Sequence, residues 1–352
     1  MNVLVTGAGG LIGYESCKFF LEKGAVVVGV DNNMRKYFFG DKGDTSKNIE
    51  FLKQMSSNFK HISLNIRDRK GILELFEKNG PFDLVIHTAA QPSYDWAARE
   101  PFTDFDVNAV GTLNVLEAFR LHSSKGVFIF TSTNKVYGDA PNNVELIELE
   151  KRYEYAKKQT MLGVSLNGIS EEMTLDNSTH SLFGASKVAA DVLAQEYGWY
   201  FHLNVGVFRG RCLTGPQHSA VELHGFLAYI VDCAMSGEHY TVFAYKGKQV
   251  RDQIHSKDVV NVFYEFYKNP KQGVAYNLGG CKENSASILE VIDILDNDFG
   301  LKLNYNYSET NRVGDHICYY SDMSKFKKDY SNWKITISLK DIIKEIIEWK
   351  KN

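Results

Sequence analysis

Long apolar runs are missing from this chain of 352 residues. None approaches the roughly 18 residues needed to cross a bilayer, which excludes a helical membrane protein. Cysteine is sparse and unpatterned: Cys17, Cys212, Cys233, Cys281 and Cys318 are odd in number and form no CxxC pair. Neither a disulfide scaffold nor a cysteine-built zinc site is therefore expected. The nearest metal-like grouping is His218, Glu222 and His224 in one loop, and no metal is expected there. Charge of one sign is lacking as well. Lys+Arg 40 against Asp+Glu 43 leaves −3, too little for the field that draws nucleic acid or a membrane surface. Neither is expected as a partner. No charged n-region with a cleavage site opens the chain, and no repeat or low-complexity tract interrupts it. With reduced thiols, a cytoplasmic setting is the expectation.

What the chain does have is a glycine-rich junction at its start. Thr6-Gly7-Ala8-Gly9-Gly10-Leu11-Ile12-Gly13 follows the apolar run Asn2-Val3-Leu4-Val5. In that pattern Gly7 makes a sharp strand-to-helix turn, Gly10 lets backbone approach a pyrophosphate, and Gly13 lets the helix lie close to its strand. The helix opened by Leu11 and Ile12 then offers free N–H groups and a positive dipole to phosphates. A second strand, Ala25 to Val30, ends in Asp31. A carboxylate there accepts hydrogen bonds from ribose hydroxyls and repels a 2′-phosphate, which predicts NAD rather than NADP. Arg35, four positions on, is read as a solvated loop residue or a lid over the adenine.

Apolar runs alternate with helical stretches through the first two thirds. Strands are expected at Asn2 to Thr6, Ala25 to Val30, His61 to Leu64, Leu84 to Thr88, Val127 to Thr131 and Asn204 to Phe208. Helices are expected near 12 to 23, 70 to 79, 103 to 121 and 184 to 201. This rhythm predicts an α/β fold with a doubly wound parallel Rossmann sheet, whose ligands bind at the carboxyl ends of the strands. After about residue 210 the rhythm breaks. We expect a dinucleotide-binding domain over 1–210, returning near 252–265 and 274–280, and a smaller α+β lobe over 211–352.

Two segments between these regions carry chemistry. The fifth strand ends in Thr131-Ser132-Thr133-Asn134-Lys135. Its hydroxyls either bind a substrate alcohol as it becomes a carbonyl or satisfy the turn itself. Ser181-Leu182-Phe183-Gly184-Ala185-Ser186-Lys187 opens a helix on which Phe183 and Lys187 share a face. A lysine there can contact the nicotinamide ribose and lower the pKa of a neighbouring acid, or simply be a solvated helix lysine. In the second region Arg251 and Arg312-Val313-Gly314-Asp315 supply two guanidinium forks and a carboxylate, a set that either grips a pyrophosphate and a ribose hydroxyl or forms surface ion pairs.

Taken together, these segments resemble the extended short-chain dehydrogenase/reductase family, the sugar-nucleotide epimerases and dehydratases. The match runs through residues 6 to 13, Asp31, Asn65-Ile66-Arg67, Thr88-Ala89-Ala90-Gln91, Asn108, Thr133, Val136-Tyr137-Gly138 and Lys187. It continues through Phe208-Arg209, Gly215-Pro216, Arg251-Asp252, His255, Asp258 and Tyr276-Asn277-Leu278-Gly279-Gly280. The resemblance implies that Gly7, Gly10, Leu11, Ile12, Gly13, Asp31, Asn32, Asn65, Ile66, Ala89, Ala90, Gln91, Asn108, Thr131 and Lys187 hold NAD. It implies a nucleotide sugar on Thr133, Asn134, Arg211, His218, Gln249, Arg251, Arg312 and Asp315, catalysis by Thr133 and Lys187 with position 183, and a homodimer through the helices near 103–121 and 184–201.

Segments 132–139 and 247–252 resemble most the branch acting at the 2-position of a CDP-hexose. Transient oxidation to a keto sugar is then the expected reaction, with a 4-epimerase or 4,6-dehydratase as the alternative. A dehydratase commonly carries an Asp-Glu pair beside the threonine, where Asn134-Lys135 stands here. The loop at 210–218 also departs from the usual Tyr-Gly-Pro. The larger departure is Phe183, where the family has the proton-transferring tyrosine. A replaced tyrosine, a branch using another base, or a protein that binds without turnover would each explain it. Lys187, Tyr137, Cys212 and His218 are the reserve bases.

Overall fold

The computed structural model describes residues 1–217, 225–309 and 315–351. The chain forms two compact units. The first joins Met1–Val136, Leu182–Arg209 and Val259–Tyr276; the second joins Tyr137–Ser181, Gly210–Asp258 and Asn277–Asn352.

The large sheet has seven strands: β1 (Asn2–Thr6), β2 (Val26–Val30), β3 (Phe59–Ile62), β4 (Leu84–His87), β5 (Val127–Thr133), β6 (Asn204–Gly210) and β7 (Val274–Leu278). They lie in the order β7-β6-β5-β4-β1-β2-β3. Pairs β1–β2, β2–β3, β1–β4 and β4–β5 are parallel, with Val3 facing Val27 on one side and Leu84 on the other. Val3, Leu4 and Val5 are wholly buried, as expected of a parallel strand covered on both faces. The order reverses between β1 and β4, so the crevice at their carboxyl ends is where a doubly wound sheet takes its ligand. Helices Leu11–Glu22, Arg69–Asn79, Gly111–His122 and Ser181–Tyr200 belong to this unit, and its core includes Leu4, Val85, Leu116, Phe128, Ala190 and Val207.

One ion pair inside this unit is buried, its carboxylate wholly. Asp191, in the middle of Ser181–Tyr200, accepts from Arg209 Nε at 3.1 Å and from Arg209 Nη2 at 2.9 Å. It also accepts from Ser132 Oγ at 2.5 Å and Gln195 Nε2 at 2.7 Å. The helix is thereby tied to the ends of both β5 and β6.

The second unit holds a three-stranded sheet in which Val250–Asp252 runs antiparallel to Ser285–Ser287 and parallel to Cys318–Tyr319. Its apolar core joins Leu227, Ile230, Val291, Leu295, Ile343 and Ile346 from helices Phe226–Ser236, Ile288–Phe299 and Leu339–Lys351. Ser287 and Glu290 form a reciprocal capping box on the second of these helices.

Several boundaries differ from the sequence expectations. Segment 252–265 does not enter the sheet as a strand; from Ser256 to Lys268 it is a helix, and only Val274–Leu278 joins the large sheet. The single helix expected over 103–121 is broken into Pro101–Phe105, a π-helical turn Asp106–Val110, and Gly111–His122. Helices Met34–Phe39 and Ser46–Met55 and the short strand pairs between residues 146 and 169 were not expected, although Ile49, Leu52 and Met55 stand three apart in the second helix.

Arg209→Met should leave Asp191 buried and uncompensated, at a cost of about 3 to 5 kcal/mol. Urea midpoints of the variant and parent check this. A loss below about 1 kcal/mol would show that the pair does not hold the helix in place.

Candidate active site

The turn after β1 is as tight as its glycines predict. Gly7 has φ +73°, and its N–H donates to Val30 O at 2.8 Å. A Cβ on Gly13 would stand 2.0 Å from Gly7 O. Only hydrogen fits there, so the helix beginning at Leu11 starts directly against the end of β1. A Cβ on Gly10 would come within 3.3 Å of the same oxygen. Asp31 closes the cradle from β2: one carboxylate oxygen accepts from Gly9 N at 2.8 Å and the other from Asn33 N at 2.7 Å. Each oxygen retains a lone pair, so ribose hydroxyls have an oriented acceptor.

Beyond Asp31 lies a cavity of about 400 Å³ lined by Asn32, Met34, Tyr37, Asn65, Arg67 and Thr103 among others. Its polar lining suits an adenine. Asn65 Oδ1 accepts from Arg67 N at 3.0 Å and Arg67 Nε at 3.2 Å, so its side chain braces the loop. Ile66 is buried, and its carbonyl accepts from Asn114 Nδ2 at 2.9 Å. Tyr37 and Phe38 pack against Trp96 with centroids 5.1 and 5.3 Å apart. Arg35 places its guanidinium carbon 4.8 Å from the Phe39 ring centroid.

Ala89, Ala90 and Gln91 follow β4, where Ala89 N reaches Thr6 Oγ1 at 3.4 Å. Gln91 is nearly inaccessible. Its Nε2 donates to Ser93 O at 2.7 Å and to Asp104 at 2.6 Å, so its amide organises the loop. Asn108 accepts from Gln91 N at 3.0 Å and donates to Ser186 Oγ at 3.1 Å and Asp104 Oδ1 at 3.0 Å. It therefore couples the β4 loop to the helix that carries Phe183 and Lys187. Asp104 was not legible as a participant; burial raises its pKa, against the hydrogen bonds from Ser186 and Gln91.

A buried polar chain runs beneath the loop. Thr112 Oγ1 donates to Asn108 O at 2.6 Å, so it accepts from His87 Nε2 at 3.0 Å. His87 Nδ1 is then free to accept from Thr6 Oγ1 at 2.6 Å. Burial, aided by Lys187, pushes the imidazole down to about 3. It is a neutral strut at the switch point.

The residues expected to react in this unit gather at the end of β5. Lys187 Nζ donates to Thr131 O at 2.9 Å and stands 4.3 Å from the Phe130 ring centroid. Burial lowers its pKa to about 8, while Asp191 and Asp104 act in the opposite direction. Thr131 Oγ1 is buried without a hydrogen-bond partner among the described residues, an open polar position beside that ammonium. Thr133 Oγ1 accepts from Lys135 N at 3.2 Å, and Asn134 is buried next to it. Phe183 is buried, its centroid 6.2 Å from that of Tyr94. The glycine cradle, Asp31 and the Thr131–Lys187 corner match the phosphate, ribose and nicotinamide ends of a dinucleotide. These residues fit NAD.

In the second unit, Arg251 Nη2 is 3.4 Å from Asp315 Oδ1, so two predicted substrate residues meet. Arg251 Nη1 also donates to Val250 O at 3.0 Å. Gln249 donates to Phe243 O at 2.9 Å, and its Oε1 is buried without a partner among the described residues. Arg211 donates its N–H to Leu278 O at 2.9 Å, with its guanidinium carbon 5.6 Å from the Tyr319 ring centroid. Burial pushes the Asp252 carboxyl up to about 6. Among the reserve bases, Tyr137 donates to Asn277 Oδ1 at 2.8 Å and is wholly buried. His218, Glu222, His224 and Arg312 lie outside the described residues. Among the described residues no helix is long and apolar enough to cross a membrane, and no cluster of three His, Cys, Asp or Glu side chains could hold a metal.

The match to known proteins spans the chain. It is 30% identical over 356 residues to CDP-paratose 2-epimerase of Salmonella typhi, covering 99% of each. It is 27% identical to UDP-glucuronate 4-epimerase of Thermodesulfobacterium geofontis, covering 99% of this chain and 95% of that one. Among solved structures, UDP-glucuronic acid 4-epimerase from Bacillus cereus, in complex with UDP-glucuronic acid and NAD, superposes with a TM-score of 0.78 at 23% identity. That comparison covers 100% of this chain and 99% of the other, and it establishes the shared fold. Residues 3–279 match the family model described as the NAD dependent epimerase/dehydratase family, with NAD as the cofactor the first unit fits. The chain belongs to that family.

Proposed function

We propose that this protein epimerises the 2-position of a CDP-hexose by transient oxidation to a keto sugar. The observation that carries the reading is the corner where Lys187 is fixed on Thr131 O, at the end of the strand that presents Thr133. When bound, NAD supplies a hydride acceptor that becomes the donor in the return step. Thr133 orients the reacting hydroxyl, and Asn134 flanks it. Lys187 holds the nicotinamide ribose and supplies positive charge that favours deprotonation nearby. The cofactor lies along Gly7, Gly10, Leu11, Ile12, Gly13, Asp31 and Asn32, with Asn65 and Ile66 at the adenine. Ala89, Ala90 and Thr131 form its nicotinamide side, over a loop that the buried Gln91 and Asn108 hold in shape.

Arg251, with Arg312, grips the pyrophosphate; Asp315, Arg211, Gln249 and His218 complete recognition of the nucleotide sugar. The 30% identity to CDP-paratose 2-epimerase supports a CDP-sugar and the 2-position over a 4-epimerase or 4,6-dehydratase. Asn134-Lys135 argues further against a dehydratase. The first unit is the NAD domain and the second the nucleotide-sugar lobe, in a cytoplasmic homodimer paired through the helices near 103–121 and 184–201.

A CDP-hexose carrying deuterium at carbon 2 tests the reaction. The epimer should form with the label retained at that carbon, because the same hydride returns. Exchange of the label with solvent would refute the mechanism, and absence of any product with NAD still bound would favour a protein that binds without turnover.

Denaturing the purified protein should release NAD, since an epimerase must keep its cofactor through the cycle. Asp31→Ala should weaken NAD by about 1 to 3 kcal/mol, the scale of lost charge-assisted hydrogen bonds. Titration of the emptied protein showing a preference for NADP would reverse the assignment of Asp31.

Arg251→Ala should weaken a CDP-sugar by about 1.5 to 3 kcal/mol and leave NAD affinity unchanged. Calorimetry with each ligand separates the two effects, and equal losses would remove Arg251 from the sugar-nucleotide site.

A further inference from the structure

We propose that Tyr94 is the acid–base residue of this site, its phenol doing what the ring at position 183 cannot. The assignment rests on the oxidation–reduction reading above. Phe183 keeps the aromatic ring of the family tyrosine and lacks its hydroxyl, so a proton acceptor must come from another side chain beside it. The Tyr94 ring is 6.2 Å from the Phe183 ring, tilted by 56°, and belongs to the loop and short helix that follow β4 at the carboxyl edge of the sheet. Lys135 Nζ stands over the same ring, 5.5 Å from its centroid, and the Lys135 N–H donates to Thr133 Oγ1 at 3.2 Å. The Lys135 ammonium thus lies over the Tyr94 ring, and Lys135 is bonded through its backbone to the threonine that orients the substrate. An adjacent cation favours the phenolate.

Three other side chains near the site are engaged in bonds of their own. Lys187, while charged, has three donors and no acceptor, and one of them is spent on Thr131 O. Tyr137 is wholly buried and donates to Asn277. Ser186 Oγ donates to Phe183 O at 3.0 Å and accepts from Asn108.

In the forward step the Tyr94 phenolate oxygen takes the hydroxyl proton as the substrate C–O bond becomes C=O; NAD, held by the residues named above, would supply the hydride acceptor. In return the Tyr94 O–H gives that proton to the oxygen as the C=O becomes C–O again, with the reduced cofactor as the hydride source it would supply. No other oxidant or reductant is needed.

Two readouts test the assignment. Tyr94→Phe should lower turnover of a CDP-hexose by about 10² to 10⁴-fold while retaining bound NAD and the parent melting temperature. Tyr94→Phe/Phe183→Tyr should regain much of that loss. Independently of substrate, the ultraviolet titration of the parent minus that of Tyr94→Phe should show one phenol ionising below the ordinary value of about 10. Lys135→Met should move that ionisation upward. Tyr155 and Tyr319 are pushed well above that range by burial and stay silent.

Turnover by Tyr94→Phe within about threefold of the parent overturns the assignment and leaves the epimerase reading standing. A difference titration with no early phenol overturns it as well. A parent that converts no CDP-hexose, yet shows the Lys135-dependent phenol, supports the phenol–ammonium pair and overturns the epimerase reading instead.

Discussion

The Asp191–Arg209 pair is the constraint on which the reactive end of the first unit depends. A carboxylate with no access to water is costly unless its lone pairs are filled, and here two guanidinium bonds, a hydroxyl and an amide fill them. Those partners come from β5, β6 and the helix itself, so the helix can sit at one height and one rotation against the sheet. Lys187 is four residues before Asp191 and shares its face. Fixing the carboxylate therefore fixes the ammonium against Thr131 O. The same carboxylate also opposes the burial that lowers Lys187, which keeps a buried lysine chargeable near neutral pH.

A second layer of polar order lies under the cradle. Neutral His87 joins Thr6 at the end of β1 to Thr112 on the next helix, and Asn108 joins Thr112 to the Gln91 loop and to Ser186. Every link is buried, so an unfilled partner would cost about 1 to 3 kcal/mol. The π-helical turn at Asp106–Val110 sits at this junction. An inserted residue there shifts the helix register, and such turns are frequent at functional sites. The glycine cradle, the β4 loop and the reactive helix are thus held as one polar assembly within a single unit.

How legible this was depends on the range of each signal. The strand at Asn2–Thr6 was readable to the residue because continuous apolar sequence and a following glycine turn are both local, and Gly13 was readable because its reason lies six residues away at Gly7 O. The pairing of Arg251 with Asp315 lay in residue types that announce a phosphate grip, though no spacing predicts that they meet. The conformation of 252–265 was not legible: Val259, Val260 and Val262 have the β-branched composition of a strand, while Val259, Val260, Phe263 and Phe266 are buried along one helix. Asn108 and Gln91 were named as cofactor residues by resemblance. Their full set of bonds to Asp104 and Ser93 is long-range side-chain geometry, which no local pattern encodes.

The position of Phe183 follows the same logic of range. In sequence it is only a missing hydroxyl, and each reserve base was drawn from residues with a motif of their own. Tyr94 has none: it follows Gln91-Pro92-Ser93 in a loop, and its neighbours in space are 41 and 89 positions away at Lys135 and Phe183. What brings them together is the parallel sheet, which delivers the ends of β4 and β5 side by side and lets the Asp191-anchored helix lay its first turn near them. A proton acceptor can therefore move from one element to another without moving far in space. On the reading proposed above, several chain segments converge at the end of β5, and each can supply the group.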